Sequence, residues 1–158
     1  MIRKIVNAND LPVPTFVTSD SINACSKRTK REDCLLISSQ LQDCEFCSSL
    51  KSALLTRNWL LENGFTDTQL ESLVDIGYFE ENFPKIHAKF LHYCHQNNFE
   101  TPFKLIVNAW AFGSYEKDSE KARVDTAGTP KQIMNGRHRI RMAQILNSSI
   151  PVWFEQSV

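Results

Sequence analysis

The last quarter of the chain reads Gln132-Ile-Met-Asn-Gly-Arg-His-Arg-Ile-Arg-Met-Ala-Gln-Ile-Leu-Asn-Ser-Ser-Ile-Pro-Val-Trp-Phe154. Its pattern predicts a strand, a turn at Gly136, a helix and a second strand. Three arginines and one histidine follow the glycine within the first turns of this helix. The amino end of a helix carries a partial positive charge of roughly half a unit, so cations there need a compensating anion. Its free N–H groups also bind phosphate readily. The sequence therefore predicts an anion site, with a nucleotide as the favoured ligand.

One arginine of this helix points in an unexpected direction. A helical projection places Arg139 in the middle of the apolar side. Arg137, Arg141 and Gln144 share the opposite side, where we expect the two arginines to be solvated, and His138 lies at the boundary. A buried charge needs a partner. Two partners are open for Arg139: a bound anion, or an acidic side chain elsewhere in the chain.

The glycine turn and the segments beside it follow a recurring order. Gly136-Arg137-His138-Arg139 is a Gly-x-x-Arg turn between strand and helix, and Ile150-Pro151-Val152 forms the strand that follows. Upstream, a predicted helix over residues 84–97 leads through Phe99-Glu-Thr-Pro102 into a predicted strand over residues 103–110. This order resembles the ParB/sulfiredoxin-like superfamily.

The resemblance covers about residues 84–155. It implies an α+β (α/β) domain, a small mixed sheet with helices, that binds a nucleotide triphosphate, with or without Mg²⁺. The phosphate-binding residues that it implies are Asn135, Gly136, Arg137, His138 and Arg139. Sulfiredoxins carry their catalytic cysteine directly after the glycine, and partition-type ParB proteins carry a glutamate there, whereas this chain has Arg137. Sulfinic-acid reduction is therefore not expected, and no catalytic residue is assigned.

Two classes of function follow from the resemblance. The first is a regulatory or inhibitory interaction protein, similar to the plasmid fertility-inhibition factors that block DNA transfer. The second is a ParB-like enzyme, namely an NTPase, a nucleotide-dependent kinase or a nuclease acting on nucleotide or nucleic acid. The missing cysteine or glutamate after Gly136 favours the first class.

Length and composition indicate a cytoplasmic globular protein. The chain has 158 residues, of which 42% are hydrophobic and 23% charged, as is typical of folded domains rather than disordered ones. We find neither a signal peptide nor a run of ~20 apolar residues that would span a membrane. Five cysteines, an odd number, favour a reduced compartment over a disulfide framework. We expect a mostly helical segment, 1–80, packed on a nucleotide-binding region, 81–158, in one compact domain overall.

The charges are segregated although the net charge is zero. Residues 58–84 contain six acidic residues and no lysine or arginine, whereas residues 121–141 contain six lysines and arginines and one acid, Asp125. The basic region is predicted to bind nucleotide or nucleic-acid phosphate, and the acidic helices over residues 62–81 are predicted to bind a protein partner or to serve as a structural cap. Alternatively, the two regions neutralise each other within the fold or across a dimer.

Periodicity predicts the remaining elements and the core. The predicted elements are a strand over Leu11–Val17 and helices over Ser38–Leu54, over Thr56–Asn63 with Gly64 as its stop, and from a Thr66 or Asp67 cap to Gly77. The residues predicted to form the core of the sheet region are Leu105, Val107, Ile133, Ile140, Ala143, Leu146 and Val152. Trp59, Leu60 and Leu70 are predicted to anchor the helical segment.

A long segment, Gly113–Pro130, joins two of the predicted strands. Loops of this length are commonly functional or disordered. Because it borders the predicted anion site, we expect it to close over a ligand as a lid and to supply Lys121 or Arg123.

Metal and nucleophile sites are less favoured. Cys44-Glu-Phe-Cys47 has the spacing of a zinc knuckle, yet it contains no glycine or proline for the turn, and its helical period explains both cysteines as core residues. His92 and His95 lie three residues apart beside lysines, which discourage a cation. We therefore predict no zinc.

Overall fold

A computed structural model of the protein describes residues 2–14, 45–99, 102–113, 123–125, 132–135 and 137–155. The chain divides into two compact units. The sheet unit comprises Met1–Lys51 and Gly113–Val158, and the helical unit comprises Ser52–Phe112. The predicted α+β class is confirmed, because a small sheet and several helices are both present. The boundary that we predicted at residue 80 falls inside the helical unit.

The described strands are β1 (Ile2–Asn7), β2 (Arg123–Asp125), β3 (Gln132–Asn135) and β4 (Ser149–Glu155). The described α-helices are α1 (Glu45–Glu62), α2 (Leu70–Leu73), α3 (Ile76–Asn82), α4 (Pro84–Gln96), α5 (Pro102–Phe112) and α6 (Arg137–Ile145). Short 3₁₀ helices lie at Ala8–Asp10 and Asp67–Gln69. Among these described helices, none combines the length and the apolarity needed to cross a membrane.

The sheet has four strands in the order β1-β4-β2-β3. β4 pairs antiparallel with β1 and parallel with β2, and β2 pairs antiparallel with β3, so the predicted mixed sheet is confirmed. Strands β3 and β4 and helix α6 lie where the sequence predicted them. The sequence did not predict β1, which is short and charged, as edge strands commonly are.

The N-terminal strand prediction is wrong in its described part. Leu11–Pro14 is not extended sheet, and residues 15–17 lie outside the described residues. Pro12 and Pro14 explain the error, because proline cannot donate to a strand ladder. The strand lies earlier, with Ile2 opposite Phe154 and Asn7 opposite Ser149.

The core of the sheet unit lies between α6 and the sheet strands. Its buried side chains include Ala8, Val124, Ile140, Met142, Ala143, Ile150 and Val152. The predictions for Ile140, Ala143 and Val152 are thus confirmed, whereas Leu146 is only half-buried. The side chain of Ile133 lies outside the described part.

Gln144 corrects the helical projection, because its side chain is 6% exposed rather than solvated. Its Nε2 donates to the carbonyl oxygens of Ala8, Leu11 and Pro12 at 3.1, 3.2 and 3.1 Å. Arg141 Nη1 donates in turn to Gln144 Oε1 at 3.1 Å. One amide therefore serves three backbone carbonyls, of which that of Ala8 also accepts from the Leu11 amide at 3.1 Å.

The same N-terminal segment is held at a second point. Asn9 Nδ2 donates to the Gln144 carbonyl oxygen at 3.2 Å and to Asn147 Oδ1 at 2.8 Å. Asn147 adopts a positive φ of 50°, a conformation that asparagine tolerates better than most residues. The Ala8 amide donates to the Ser148 carbonyl oxygen at 3.1 Å. These bonds fix the carboxyl end of α6 against the chain's start.

Replacing Gln144 by alanine should destabilise the sheet unit. The substitution removes the side-chain donor of the Leu11 and Pro12 carbonyl oxygens, whereas the Ala8 carbonyl keeps the Leu11 amide, and we expect a loss of about 1–3 kcal/mol in the free energy of unfolding. Urea titration followed by circular dichroism measures it. Gln96→Ala, at an exposed position near the end of α4, is the matched control and should change stability by less than about 0.5 kcal/mol. Equal losses in the two variants would contradict the role of Gln144.

In the helical unit, α1 is one continuous helix where the sequence predicted two. The predicted break near Leu55 is wrong, because no glycine or proline interrupts the chain there. Residues 38–44 of the first predicted helix lie outside the described part. The predicted stop is confirmed: α1 ends at Glu62, and Gly64 follows with φ of +100°. The Phe65 amide closes this end by donating to the Leu60 carbonyl oxygen at 3.2 Å.

The next predicted helix is divided in the structure. Thr66 caps its start as predicted, and its amide donates to Gln69 Oε1 at 2.8 Å. A new helix, α3, then begins after Asp75, whose Oδ1 accepts from the Tyr78 amide at 3.2 Å. Gly77 lies inside α3 and does not end the helix.

The strand predicted over residues 103–110 is wrong, because this segment forms the helix α5. A short apolar run is compatible with either structure. Leu105, Ile106, Ala109 and Phe112 are buried with helical spacing, and Pro102 suits the first position of a helix. Leu105 is therefore a core residue of the helical unit rather than of the sheet, and Val107 is half-buried.

The core of the helical unit combines aliphatic and aromatic side chains. Its buried cluster consists of Leu60, Phe65, Leu70, Leu73, Phe79, Phe90, Cys94, Leu105, Ile106 and Ala109. Leu60 and Leu70 are buried as predicted, and Trp59 packs half-buried against the cluster, stacked on Tyr93 at a centroid distance of 5.1 Å. The helical unit thus has a core of its own.

A buried ion pair lies beside this core. Arg57 of α1 is 1% exposed, and its Nη2 donates to Asp67 Oδ1 in the turn after α1. The Asp67 side chain is 7% exposed. Removing one partner of a buried pair leaves an uncompensated charge, whereas replacing both by apolar residues is often neutral or stabilising.

Arg57→Ala should therefore lower the free energy of unfolding by about 3–5 kcal/mol, because Asp67 would remain buried without its ionic partner. The double variant Arg57→Met/Asp67→Leu should recover most of this loss. Urea titrations of the two variants and the parent at pH 7 provide the comparison. If the double variant were as unstable as Arg57→Ala, packing rather than the ion pair would explain the effect.

Candidate phosphate site at the start of α6

The predicted strand–turn–helix order is present at the candidate site. β3 ends at Asn135 and α6 begins at Arg137, so one residue connects them. That residue, Gly136, lies outside the described residues, and only the backbone of Asn135 is described. The site is therefore assembled from the end of a sheet strand and the first turn of a helix, which is where free helix N–H groups are available.

The first turn of α6 carries Arg137, His138 and Arg139 and no acidic residue. All three side chains are half-buried, and each has an interaction partner within the protein. A ligand at this end would therefore act on side chains that are already oriented. The helix dipole and the formal charges of the arginines have the same sign there, so an anion bound at this end would interact favourably with both.

Burial along α6 agrees with only part of the helical projection. Ile140, Met142 and Ala143 are buried, as their apolar side predicts. Arg139 is neither buried like these residues nor fully exposed, which suits a charge at the start of the apolar side. Arg137 is half-buried as well, although we expected it to be solvated.

The sheet register places strand β2 beside the end of β3. Arg123 of β2 pairs with Asn135 of β3, the residue before the turn. It also pairs with Trp153 of β4. Its backbone thus lies next to the end of the strand that leads into α6, and the register shifts directly after it.

The lid prediction needs correction on one point. The segment Gly113–Pro130 does not join two strands, because α5 precedes it and Arg123–Asp125 within it forms β2. Arg123 therefore belongs to the sheet rather than to a closing loop. Lys121 and the other lid residues lie outside the described part, so their role stays a prediction.

The sequence did not reveal the residues that orient this helix. Gln144, Asn9 and Asn147 connect the far end of α6 to the N-terminal segment. Their partners lie more than one hundred residues away in the chain, so no local pattern could have indicated them. The one local indication was Asn147, which follows α6, because asparagine tolerates the positive φ that a chain often adopts where a helix ends.

Comparison of the chain with protein-family models, with curated proteins and with solved structures gave no match. The resemblance to ParB/sulfiredoxin-like proteins therefore depends on the residues of the turn and its neighbours. The segment 102–112, which forms a helix, no longer supplies one of the flanks on which the resemblance was based.

Metal and thiol sites have little support in the described part of the chain. There, no group of three or more His, Cys, Asp and Glu side chains lies close enough together to hold a metal ion. Cys47 is 2% exposed, in agreement with a core role, and Cys44 lies outside the described residues. His92 and His95 are exposed on α4. Burial raises the pKa of Cys94 to about 11, so this thiol is neutral at pH 7.

Cys94 should resist alkylation in the folded protein. With a pKa of about 11 instead of 9.0, its thiolate fraction at pH 9 falls from about one half to about one hundredth, and labelling should slow at least fiftyfold. Iodoacetamide labelling with peptide mass spectrometry measures this rate, with the urea-unfolded protein as control. Equal rates in the two states would show that the thiol is accessible and of ordinary pKa.

Proposed function

We propose that this protein binds a phosphate-bearing ligand, with a nucleotide triphosphate favoured, at the turn from β3 into α6. The observation that carries the proposal is the concentration of Arg137, His138 and Arg139 on the amino-terminal turn of α6, where the helix already contributes positive charge. A phosphate group at this point would compensate that charge and accept from the helix N–H groups.

Each residue of the turn has a distinct part in this proposal. Gly136 would let the backbone approach the phosphate closely, and the following amides would donate to its oxygens. Arg139 would supply a planar guanidinium that binds two phosphate oxygens at once. Arg137 and His138 would add positive charge. Asn135, the last residue of β3, would belong to the same site, and Arg123 or Lys121 would approach the phosphate from the neighbouring strand and loop. Mg²⁺ would bind as its complex with the nucleotide and would not be held by protein carboxylates.

We further propose a regulatory or inhibitory role without turnover, of the plasmid fertility-inhibition type. The position after the glycine supports this role, because a guanidinium at Arg137 cannot act as nucleophile or general base at neutral pH. An NTPase, kinase or nuclease activity is the alternative, and nucleic-acid phosphate is an alternative ligand.

A regulatory protein also needs a surface for its partner, and the acidic helices of the helical unit fit that requirement. Glu62, Glu71, Asp75, Glu80 and Glu81 are exposed. Asp67 does not belong to this surface, because it is buried in its pair with Arg57. Tyr78, 41% exposed on α3, adds an aromatic side chain of the kind that is common at interfaces.

Arg139→Ala should weaken nucleotide binding at least tenfold, since charge-assisted hydrogen bonds contribute about 1.5–3 kcal/mol. Isothermal titration with CTP, ATP and GTP, each with and without Mg²⁺, measures the affinity. Lys4→Ala is the matched control, because Lys4 is an exposed cation of the same unit on β1. It should leave the affinity unchanged.

Three outcomes of this titration are informative. If no nucleotide binds, or if Arg139→Ala binds as well as the parent, the phosphate site is wrong. Equal losses for Lys4→Ala and Arg139→Ala would indicate a diffuse electrostatic effect instead of a site. Binding followed by release of phosphate would support the enzyme alternative, whereas binding without turnover supports the regulatory role.

A further inference from the structure

An apolar groove lies within the helical unit, formed by α4, α5 and the start of α3. Its volume is about 360 Å³, which falls in the range of about 300–1,000 Å³ typical of small-molecule sites. The lining residues are Ile76, His87, Phe90, Leu91, Pro102, Phe103, Lys104 and Ile106. All of them belong to the helical unit, so the groove is separate from the turn at the start of α6.

The groove has a buried floor and an exposed apolar rim. Phe90 and Ile106 form the floor, each 1% exposed. Leu91 and Phe103 stand at the rim, 44% and 49% exposed. Large apolar side chains that line a concave surface and remain in contact with water indicate a surface that a ligand covers.

The polar groups of the groove select the charge of that ligand. Lys104 contributes a positive charge, and among the described residues that line the groove there is no carboxylate. His87 is held in place, because its ring packs edge-on against Phe79 at a centroid distance of 5.1 Å. A ligand that suits this lining has a long apolar part and one anionic group.

We infer that the groove binds an amphiphilic carboxylate, such as a medium-chain fatty acid. The hydrocarbon tail covers Phe90 and Ile106 and removes Leu91 and Phe103 from water. The carboxylate is bound by the ammonium group of Lys104, a lining residue whose side chain is exposed. The positive charge of Lys104 and the small volume favour this occupant over a protein helix, which would bring several charges and extend well beyond the groove.

Dodecanoate, kept below its micelle concentration, is the probe. We expect saturable binding of one molecule per chain, measured by isothermal titration of the full chain. Affinity should rise by up to about fourfold per methylene from octanoate onwards, as burial of each CH₂ group predicts, and should level off when the tail fills the groove. Dodecyltrimethylammonium, with the same tail and the opposite charge, should bind more weakly.

Two lysine variants distinguish the site from general adsorption. Lys104→Gln should weaken dodecanoate binding roughly three- to fivefold, the range of an exposed ion pair, and should leave dodecanol binding unchanged. Lys89→Gln is the matched control, because Lys89 is exposed on α4 and does not line the groove. Phe103→Ser should weaken the binding of both dodecanoate and dodecanol, and the circular dichroism spectrum of this variant reports whether the fold is kept.

Several results would overturn the inference. These are the absence of saturable dodecanoate binding, equal losses in the two lysine variants, and a trimethylammonium ligand that binds as tightly as the carboxylate. A dimer that Phe103→Ser converts to monomer in light scattering would show instead that a second copy of the chain covers the groove. Nucleotide binding is independent of all these outcomes, so the phosphate site and the groove can each be refuted without affecting the other.

Discussion

The side-chain amide of Gln144 is the contact on which the arrangement of the sheet unit depends. It lies within α6 and donates to three carbonyl oxygens of the segment that follows β1. β1 itself pairs with β4, which comes after α6 in the chain. The amide therefore connects α6 to the segment that follows β1, and the Gln144 side chain that makes this connection is only 6% exposed. Because the far end of α6 is fixed in this way, the direction of its amino end is fixed as well.

The helical unit depends on tertiary packing rather than on one hydrogen-bonding side chain. Its short helices α2 and α3 contain too few residues to be stable alone, so tertiary packing must hold them. Aromatic rings supply part of that packing, including the edge-to-face contact of Phe65 with Phe79 at a centroid distance of 5.7 Å, and the buried Leu70 and Leu73 supply another part. The ion pair of Arg57 with Asp67 contributes little net stability. It fixes the turn after α1 at one place on the helix.

The sequence predicted the elements whose signals are local. Gly64 ends a helix because it adopts a positive φ, Thr66 caps a helix start, and α6 follows from its apolar period. The failures concern properties that distant contacts decide. The apolar run after Pro102 is compatible with either a strand or a helix. Its packing in the core of the helical unit stabilises the helix. Gln144 reads as a surface residue until a segment from the start of the chain covers it.

The candidate site shows the same division between local and distant causes. Its cations and its place at a helix start follow from neighbouring residues, whereas the backbone pairing of Arg123 with Asn135 is not displayed by the sequence. This arrangement links binding to stability. Cations on the positive end of a helix each oppose helix formation by about 0.3–1 kcal/mol at an exposed surface, and a bound anion reverses the sign of that term. A ligand that binds only the folded protein also stabilises it by mass action. An anion bound as proposed would stabilise the amino end of α6, whereas the carboxyl end of the same helix is held by the hydrogen bonds of Asn9 and Gln144.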